Sequence, residues 1–422
     1  MEQIAFGPFR LDSTTTTLLR DGQELDLRPQ AFHALKALIH NRGRYVGYAQ
    51  MINQAWDGNL VSKHTVAVTI GEVKKILGEF GAWISYRPKL GYRLEVPHSD
   101  DLVKQGWHFW TRRTREGLEK ALDCFQQAAV ENASDFRAFE GISLCYLLLG
   151  TYGMRTPREM YSGFLQAHKR AVELCGLTPE RRADRAHGLH LFEHRFAEAE
   201  AELLQAQRES PESPEVYVRL TMLYVTLNRL DDALNILLAA RSTYSLWPTV
   251  PAHEILIRNC RREYDAAVAC GKKAIELHPY LYLVRLFYGE ALEYTGKVDE
   301  ALEQFRLATI MSPDLSWLRV FEAKCLARHG RRKEAQKMLA ELHQIRKTQY
   351  VDAYYLAQLL DALGDRDQAF QELERAYHEK SPVLFMLDVD PNLDPLRTDV
   401  RFTVLRDKIF ESKDAAPHAV SA

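Results

Sequence analysis

VSKHTVAVTIGEVKKIL (residues 61–77) and, shortly after it, WISYRPKLGYRLEV (residues 83–96) form the passage whose reading decides the fold. Val66, Ile70, Val73 and Leu77 recur at four, three and four residues, so on a helix they share one stripe that must face a core. The opposite side then carries His64, Thr65, Val68, Gly71, Glu72 and Lys75, with Lys63 and Lys74 on the flanks. The second segment alternates as a hairpin does, with Arg87, Lys89 and Arg93 set around a Pro-Lys-Leu-Gly tip. A helix with an outward polar and basic edge, followed by a basic hairpin, suits entry into a DNA groove with a grip on neighbouring phosphates.

Charge is distributed accordingly. The 422-residue chain has a net charge of −2, yet residues 1–97 hold 12 Lys+Arg against 9 Asp+Glu, a weakly basic head on an acidic body. The N-terminal MEQIAFGPFR lacks the apolar centre of a secretory leader, and the apolar run CYLLLG at Cys145–Gly150 falls far short of the ~20 residues that span a bilayer. Six cysteines (Cys124, Cys145, Cys175, Cys260, Cys270, Cys325) show no C-x-x-C pairing and lie in helical patterns, as small buried hydrophobes of a reducing compartment would. The expectation is a soluble, cytoplasmic chain with no membrane contact.

Upstream of the opening passage, residues 6–11 and 16–20 read as short strands, and Asp21-Gly22 supplies the turn into GQELDL. Pro29 stands where a first helical turn tolerates it, and Phe32, Leu35, Leu38 and Ile39 follow on one face. Asn41-Arg42-Gly43 ends that helix. Tyr48, Met51, Ile52 and Trp56 mark a second, which Asp57-Gly58-Asn59 breaks. A sheet, three helices and a terminal hairpin make an α+β winged helix-turn-helix domain over residues 1–97.

These pieces resemble the OmpR/ToxR-type winged-helix DNA-binding domain across residues 4–96: LRPQA at 27–31, NRGRYV at 41–46, Trp56, TVAVTI at 65–70, VKKIL at 73–77 and GYR at 91–93. The resemblance implies that residues 62–77 form a recognition helix in the major groove, with the hairpin as a wing on the adjacent minor groove or backbone. It assigns DNA contact to Lys63, His64, Thr65, Val68, Glu72, Lys74, Lys75, Arg87, Lys89 and Arg93. The family usually carries arginine where this chain has Glu72, and often a basic residue where it has Leu90. A glutamate there is suited to accept from a cytosine amino group, and exposed Val68 to meet a thymine methyl. Gly71, costly in a helix by about 1 kcal/mol against Ala, suggests close approach of something to the backbone.

Beyond the polar join Val96–Asp100 nearly everything reads helical. Pro211, Pro279 and Pro313 keep a 34-residue register; Ala199, Ala233, Ala267 and Ala301 fall at one place in it, and Ala206, Ala240, Ala274 and Ala308 seven residues further on. A 34-residue helix–turn–helix with small residues at its crossing points is the tetratricopeptide repeat (TPR). Residues 282–315 are the best copy. Residues 214–245 and 136–150 are clear ones, and TYGMRTPREM after Gly150 is an insertion that lengthens a turn or second helix. EGLEKALDCFQQAA at 116–129 reads as a half-unit in front. An all-α TPR solenoid is expected over residues 98–390, with an end cap and loose tail over 391–422. The layout is similar to HilA-like regulators, which join a winged helix to such an extension.

No phosphate-cradling G-x-x-x-x-G-K, H-E-x-x-H or G-x-S-x-G pattern is present, so neither an enzyme nor a cofactor is expected. His187, His190 and His194 share one helix face, where metal binding or pH sensing is weighed against plain burial; burial is favoured and no metal ligand is assigned. In the repeat register, inward positions include Met222, Val225, Glu290, Glu293, Tyr294, Lys324 and Arg328, a mixed groove suited to a protein or peptide partner. The reading is a one-component transcriptional regulator, with double-stranded DNA held by residues 1–97 alone, a homodimer on DNA compatible with it, and a polypeptide signal received by the body. The alternative is a TPR scaffold whose winged fold is a protein contact; the basic edge of Lys75, Arg87 and Lys89 argues against it.

Overall fold

The computed structural model describes residues 3–7, 9–20, 23–96, 99–243 and 249–410. The Asp21-Gly22 turn, Pro97-His98 of the join, Ser245 and the tail 412–422 lie outside the described residues, as does the side chain of Ala240. The chain divides into two compact units, residues 1–112 with 119–142, and residues 113–118 with 143–422.

In the first unit, β1 (Gln3–Phe6), β2 (Phe9–Asp12), β3 (Thr17–Arg20) and β4 (Gln23–Leu25) form an antiparallel sheet in sequence order. Residues 6–11, expected as one strand, belong to two. Gly7 turns the chain at φ +56°, and a Cβ there would run into the Trp83 ring. Then come α1 (Pro29–His40), α2 (Tyr48–Ala55), α3 (Lys63–Leu77), β5 (Ile84–Arg87) and β6 (Gly91–Leu94). Phe6, Phe9, Leu11 and Leu18 from the sheet meet Phe32, Leu35 and Leu38 of α1, Met51 and Ile52 of α2, and the whole stripe Val66, Ile70, Val73 and Leu77 of α3 in one core. This is a winged helix-turn-helix domain.

The half-unit expected at residues 116–129 has a partner. Helix α4 (Ser99–Trp110) begins inside the supposed join and pairs with α5 (Arg115–Glu131), Trp107 packing edge-on to Phe125 at 5.1 Å. Cβ atoms at Gly106 and at Gly141, in α6 (Phe136–Thr151), would both collide with the Phe125 ring, so the two glycines make its slot. The α5 carboxylate of Glu131 accepts from Arg42 at 2.5 Å and from the Gly7 backbone at 3.5 Å, which ties this helix to the winged fold.

The second unit is built from helices among its described residues. The insertion after Gly150 becomes a short turn and a long helix, α7 (Pro157–Cys175). Six antiparallel pairs follow: α8 (Pro179–Gly188) with α9 (Phe196–Glu209), α10 (Pro214–Thr226) with α11 (Leu230–Thr243), α12 (Thr249–Cys260) with α13 (Tyr264–Leu277), α14 (Tyr282–Tyr294) with α15 (Val298–Met311), α16 (Leu318–Arg328) with α17 (Arg332–Ile345), and α18 (Ala353–Ala362) with α19 (Arg366–His378). Ala199, Ala206, Ala233, Ala267, Ala274, Ala301 and Ala308 are all buried, and the register continues through Ala335, Leu342, Ala369 and Ala376. Small side chains at these crossings admit bulky ones nearby: Phe305 sits so close to Gly289 that a Cβ there would overlap its ring. Two 3₁₀ turns, Pro382–Met386 and Pro391–Leu396, and α20 (Val400–Phe410) come last among the described residues. Of the cysteines, Cys145, Cys260 and Cys325 are buried as expected, whereas Cys175 is exposed at the end of α7. No described helix is long and apolar enough to cross a membrane.

Candidate functional site

The outward face of α3 is set by its inward one. Ser62 caps the helix, its Oγ accepting from the Thr65 backbone N–H at 3.1 Å, a cap worth ~1 kcal/mol. With the apolar stripe locked in the core, Lys63, His64, Thr65, Val68, Gly71 and Lys75 are exposed, and Lys74 is half-buried. Val68 is 52% exposed. The Lys63 ammonium lies 5.9 Å from the Tyr48 ring centre. Apart from its own turn of helix, nothing among the described residues lies within 4 Å of a Cβ built at Gly71.

Glu72 departs from the expectation of a free acceptor facing a base. Its carboxylate takes two hydrogen bonds from Arg28 Nε, at 2.7 and 2.9 Å, and a third from the same guanidinium. These bonds hold the Glu72 carboxyl below the usual carboxylate range and raise the Arg28 guanidinium. Arg28 stands immediately before α1, and no local spacing in the sequence marks it, because its partner is 44 residues away. Its place in the LRPQA entry was the one available signal.

The wing owes its shape to Gly91. At φ +102°, with a Cβ that would run into the Val46 carbonyl oxygen, this position admits only glycine, and β6 thereby lies close enough to bridge Val46 through Tyr92. Lys89 is exposed at the tip with φ +68°. Arg87, exposed, has its guanidinium 5.8 Å from the Tyr45 ring centre. Arg93 is held closer in, 4.6 Å from the same ring and 2.7 Å from the Glu95 carboxylate, which neutralises part of what it would offer a phosphate. Tyr86 and Leu90 add exposed apolar surface to the wing, at 57 and 49%, and Leu60, just ahead of α3, is 88% exposed.

The inner positions of the solenoid do not form an open groove. Met222, Val225, Glu290, Glu293 and Lys324 are buried, and Tyr294 and Arg328 are half-buried. The chain's own segment 381–397 lies against this face. Asn392 donates to Glu290 at 2.9 Å and accepts from Tyr294 at 3.0 Å and Arg328 at 2.9 Å; Asp390 accepts from Tyr354 and Gln358 at 2.8 and 2.7 Å. Glu290, Lys324 and Gln358 occupy one place in three successive repeats and form a ladder, Lys324 Nζ donating to Glu290 at 3.0 Å and to Gln358 at 3.1 Å. Burial pushes the Glu290 carboxyl up, opposed by Lys324. The expected peptide site is thus filled from within, since Leu384, Leu387, Leu393 and Leu396 need the burial this face provides.

The three histidines lie around a π-helical turn, Leu189–Glu193. His190 Nε2 shares a 2.6 Å hydrogen bond with Thr226 Oγ1, and its ring faces Phe385 at 6.0 Å. Burial pushes the His190 imidazole down to about 3. Burial likewise pushes the His187 imidazole well below its ordinary range.

Comparison with known proteins follows the division of the chain. Residues 22–94 match the family described as "Transcriptional regulatory protein, C terminal", and residues 191–245 match a tetratricopeptide repeat. The transcriptional regulatory protein CutR of Streptomyces coelicolor is 33% identical over 86 residues, 20% of this chain and 39% of CutR. The transcriptional activator CadC of Escherichia coli K12 is 26% identical over 98 residues, 22% of this chain and 19% of CadC. The chain therefore spans about two fifths or less of the curated relatives it matches. A solved human IFIT1 dimer with PPP-AAAA aligns at 15% identity with a TM-score of 0.50, over 78% of this chain and 81% of that one, a likeness of fold alone. The chain carries an OmpR/PhoB-type winged-helix domain followed by a tetratricopeptide-repeat body.

Proposed function

We propose that this protein is a sequence-specific DNA-binding transcriptional regulator whose repeat body receives its signal from a protein partner. The observation that carries the reading is α3: its apolar stripe is fixed in the core, leaving His64, Thr65, Val68 and Lys75 exposed along one helix of a winged fold. Side chains of that kind read base edges in a major groove, and Arg87 and Lys89 of the wing supply charge for the backbone. Kinship of the winged domain with named transcriptional regulators supports the same reading. Glu72 and Arg93 act by positioning Arg28 and by trimming wing charge, rather than as direct contacts. A homodimer on DNA, a cytoplasmic location without membrane association, and the absence of enzymatic activity belong to this proposal. Because the inner face of the solenoid is filled, the protein partner is met on another face.

Genomic footprinting of the full-length protein tests it, followed by binding-site selection in vitro. One recurrent motif, bound at least ~10³-fold more tightly than random duplex, is expected. Uniform affinity for all duplexes would overturn the proposal.

A further inference from the structure

Three side chains outside the winged domain converge where two repeats meet. Cys325, in the last turn of α16, and His329, the residue that caps it, lie one turn apart, the His329 N–H closing on the Cys325 carbonyl at 3.1 Å, so their side chains leave the same side of the helix end. Glu293, near the end of α14, points at them from the preceding repeat. The donor atoms of the three residues all lie within 4.8 Å of one another, and His329 Nε2 is 3.7 Å from Glu293 Oε1.

The second observation is the Glu293 carboxylate itself. Its side chain is 3% exposed, Oε1 is taken by Arg328 at 3.4 Å, and Oε2 is buried with no hydrogen-bond partner among the described residues. A buried carboxylate oxygen left without a donor is costly, and such an atom calls for an explanation that a bound ion supplies. Cys325 is wholly buried beside it, while His329 stands at the exposed rim.

We propose that Glu293, Cys325 and His329 form a three-ligand site for a zinc-class divalent cation, with one coordination position open toward solvent on the His329 side. The donor set of one carboxylate oxygen, one sulfur and one imidazole nitrogen is that of zinc rather than of calcium or magnesium, which take oxygen. Donors of a tetrahedral zinc site are roughly 3.5 Å apart, so the cluster contracts by about 1 Å, a movement the rim histidine is free to make. As the metal–sulfur bond forms, the thiol proton leaves to solvent, and the thiolate with the Glu293 carboxylate balances the two positive charges. Arg328 stays on Oε1 and links the site, through its 2.9 Å bond to Asn392, to the segment that fills the inner face. Metal occupancy would thereby clamp α14 to α16 and steady that segment.

The test uses the full-length protein, stripped of metal and titrated with Zn²⁺ against a chromogenic chelator, with Co²⁺ as spectroscopic probe. One equivalent of tightly bound zinc is expected, along with a thiolate-to-cobalt charge-transfer band. His329→Ala, at the rim where folding tolerates it, should weaken binding by more than ~100-fold, beyond the ~10–100-fold cost of losing an outer-shell partner. Cys325→Ser should abolish the cobalt band, and Cys175→Ser, which alters the exposed cysteine, should leave it intact. Absence of stoichiometric zinc binding in the wild type, a cobalt band that follows Cys175, or unchanged affinity in His329→Ala would each overturn the site.

Discussion

Lys75 and Arg87 are the residues on which the DNA reading can be tested most directly, because both are exposed and neither shapes the core. Removing one phosphate contact lowers the magnitude of the salt slope by about 1. Lys75→Ala with Arg87→Ala should lower it by about 2; an unchanged slope in a salt titration by fluorescence anisotropy would exclude both. Glu72 offers a sharper case. Glu72→Arg removes the acceptor that holds Arg28 and adds a second guanidinium, so general affinity should rise and the preferred motif should change. Binding-site selection returning the same motif for both proteins would show the pair to be structural only. The stripe of α3 was legible in the sequence because four residues repeat with the helix period. The Arg28–Glu72 bond was not, because nothing in local spacing signals a partner 44 residues away.

Among elements, the ladder of Glu290, Lys324 and Gln358 shows how a repeat register becomes an energetic one. Lys324→Met would leave Glu290 buried without its cation, at a cost of about 3–5 kcal/mol. Replacing both, Lys324→Met with Glu290→Leu, should recover more than half of that loss, and urea denaturation distinguishes the outcomes. The π-helical turn carries a pH dependence. His190 in the folded chain is held down to about 3, below its ordinary 6.5, so the unfolded chain binds the extra proton between those values and stability falls as pH falls through them. Asp352, pushed up to about 6 by burial, acts in the opposite direction, its contribution being lost as pH rises through that value. The difference between wild type and His190→Gln isolates the histidine: the variant's stability should be flatter by up to ~1.4 kcal/mol per pH unit between pH 4 and 6. Identical slopes in denaturation series at several pH values would refute it. The alanine register foretold these helix pairs, since only small side chains allow their close crossing. It did not foretell α4, whose sequence before Trp110 carries no alanine signal, or the break at Gly7, which depends on Trp83 far along the chain.

For the molecule as a whole, the decisive unforeseen feature is the segment 381–397. Its turns have no helical period, and its anchors (Glu290, Tyr294, Arg328, Tyr354 and Gln358) are scattered over three repeats, so no window of sequence shows them together. Four wholly buried leucines make it part of the core. Truncation after Lys380 should therefore abolish cooperative thermal unfolding of the body, as followed by circular dichroism; a truncated chain that still melts sharply would show the segment to be an accessory. Arrays of repeats ordinarily behave as springs, each coil answering only to its neighbours and free to fray from an end. Here Arg262 grips Asp394 at 2.7 Å across 132 residues, and Asn392 reaches Glu290 across 102. Those bonds return the end of the chain to its middle and turn the spring into a closed circuit. From α12 to α20 the coils are then wired in parallel rather than in series, so a disturbance at any one of them is borne by all, and the region opens as one or stays shut.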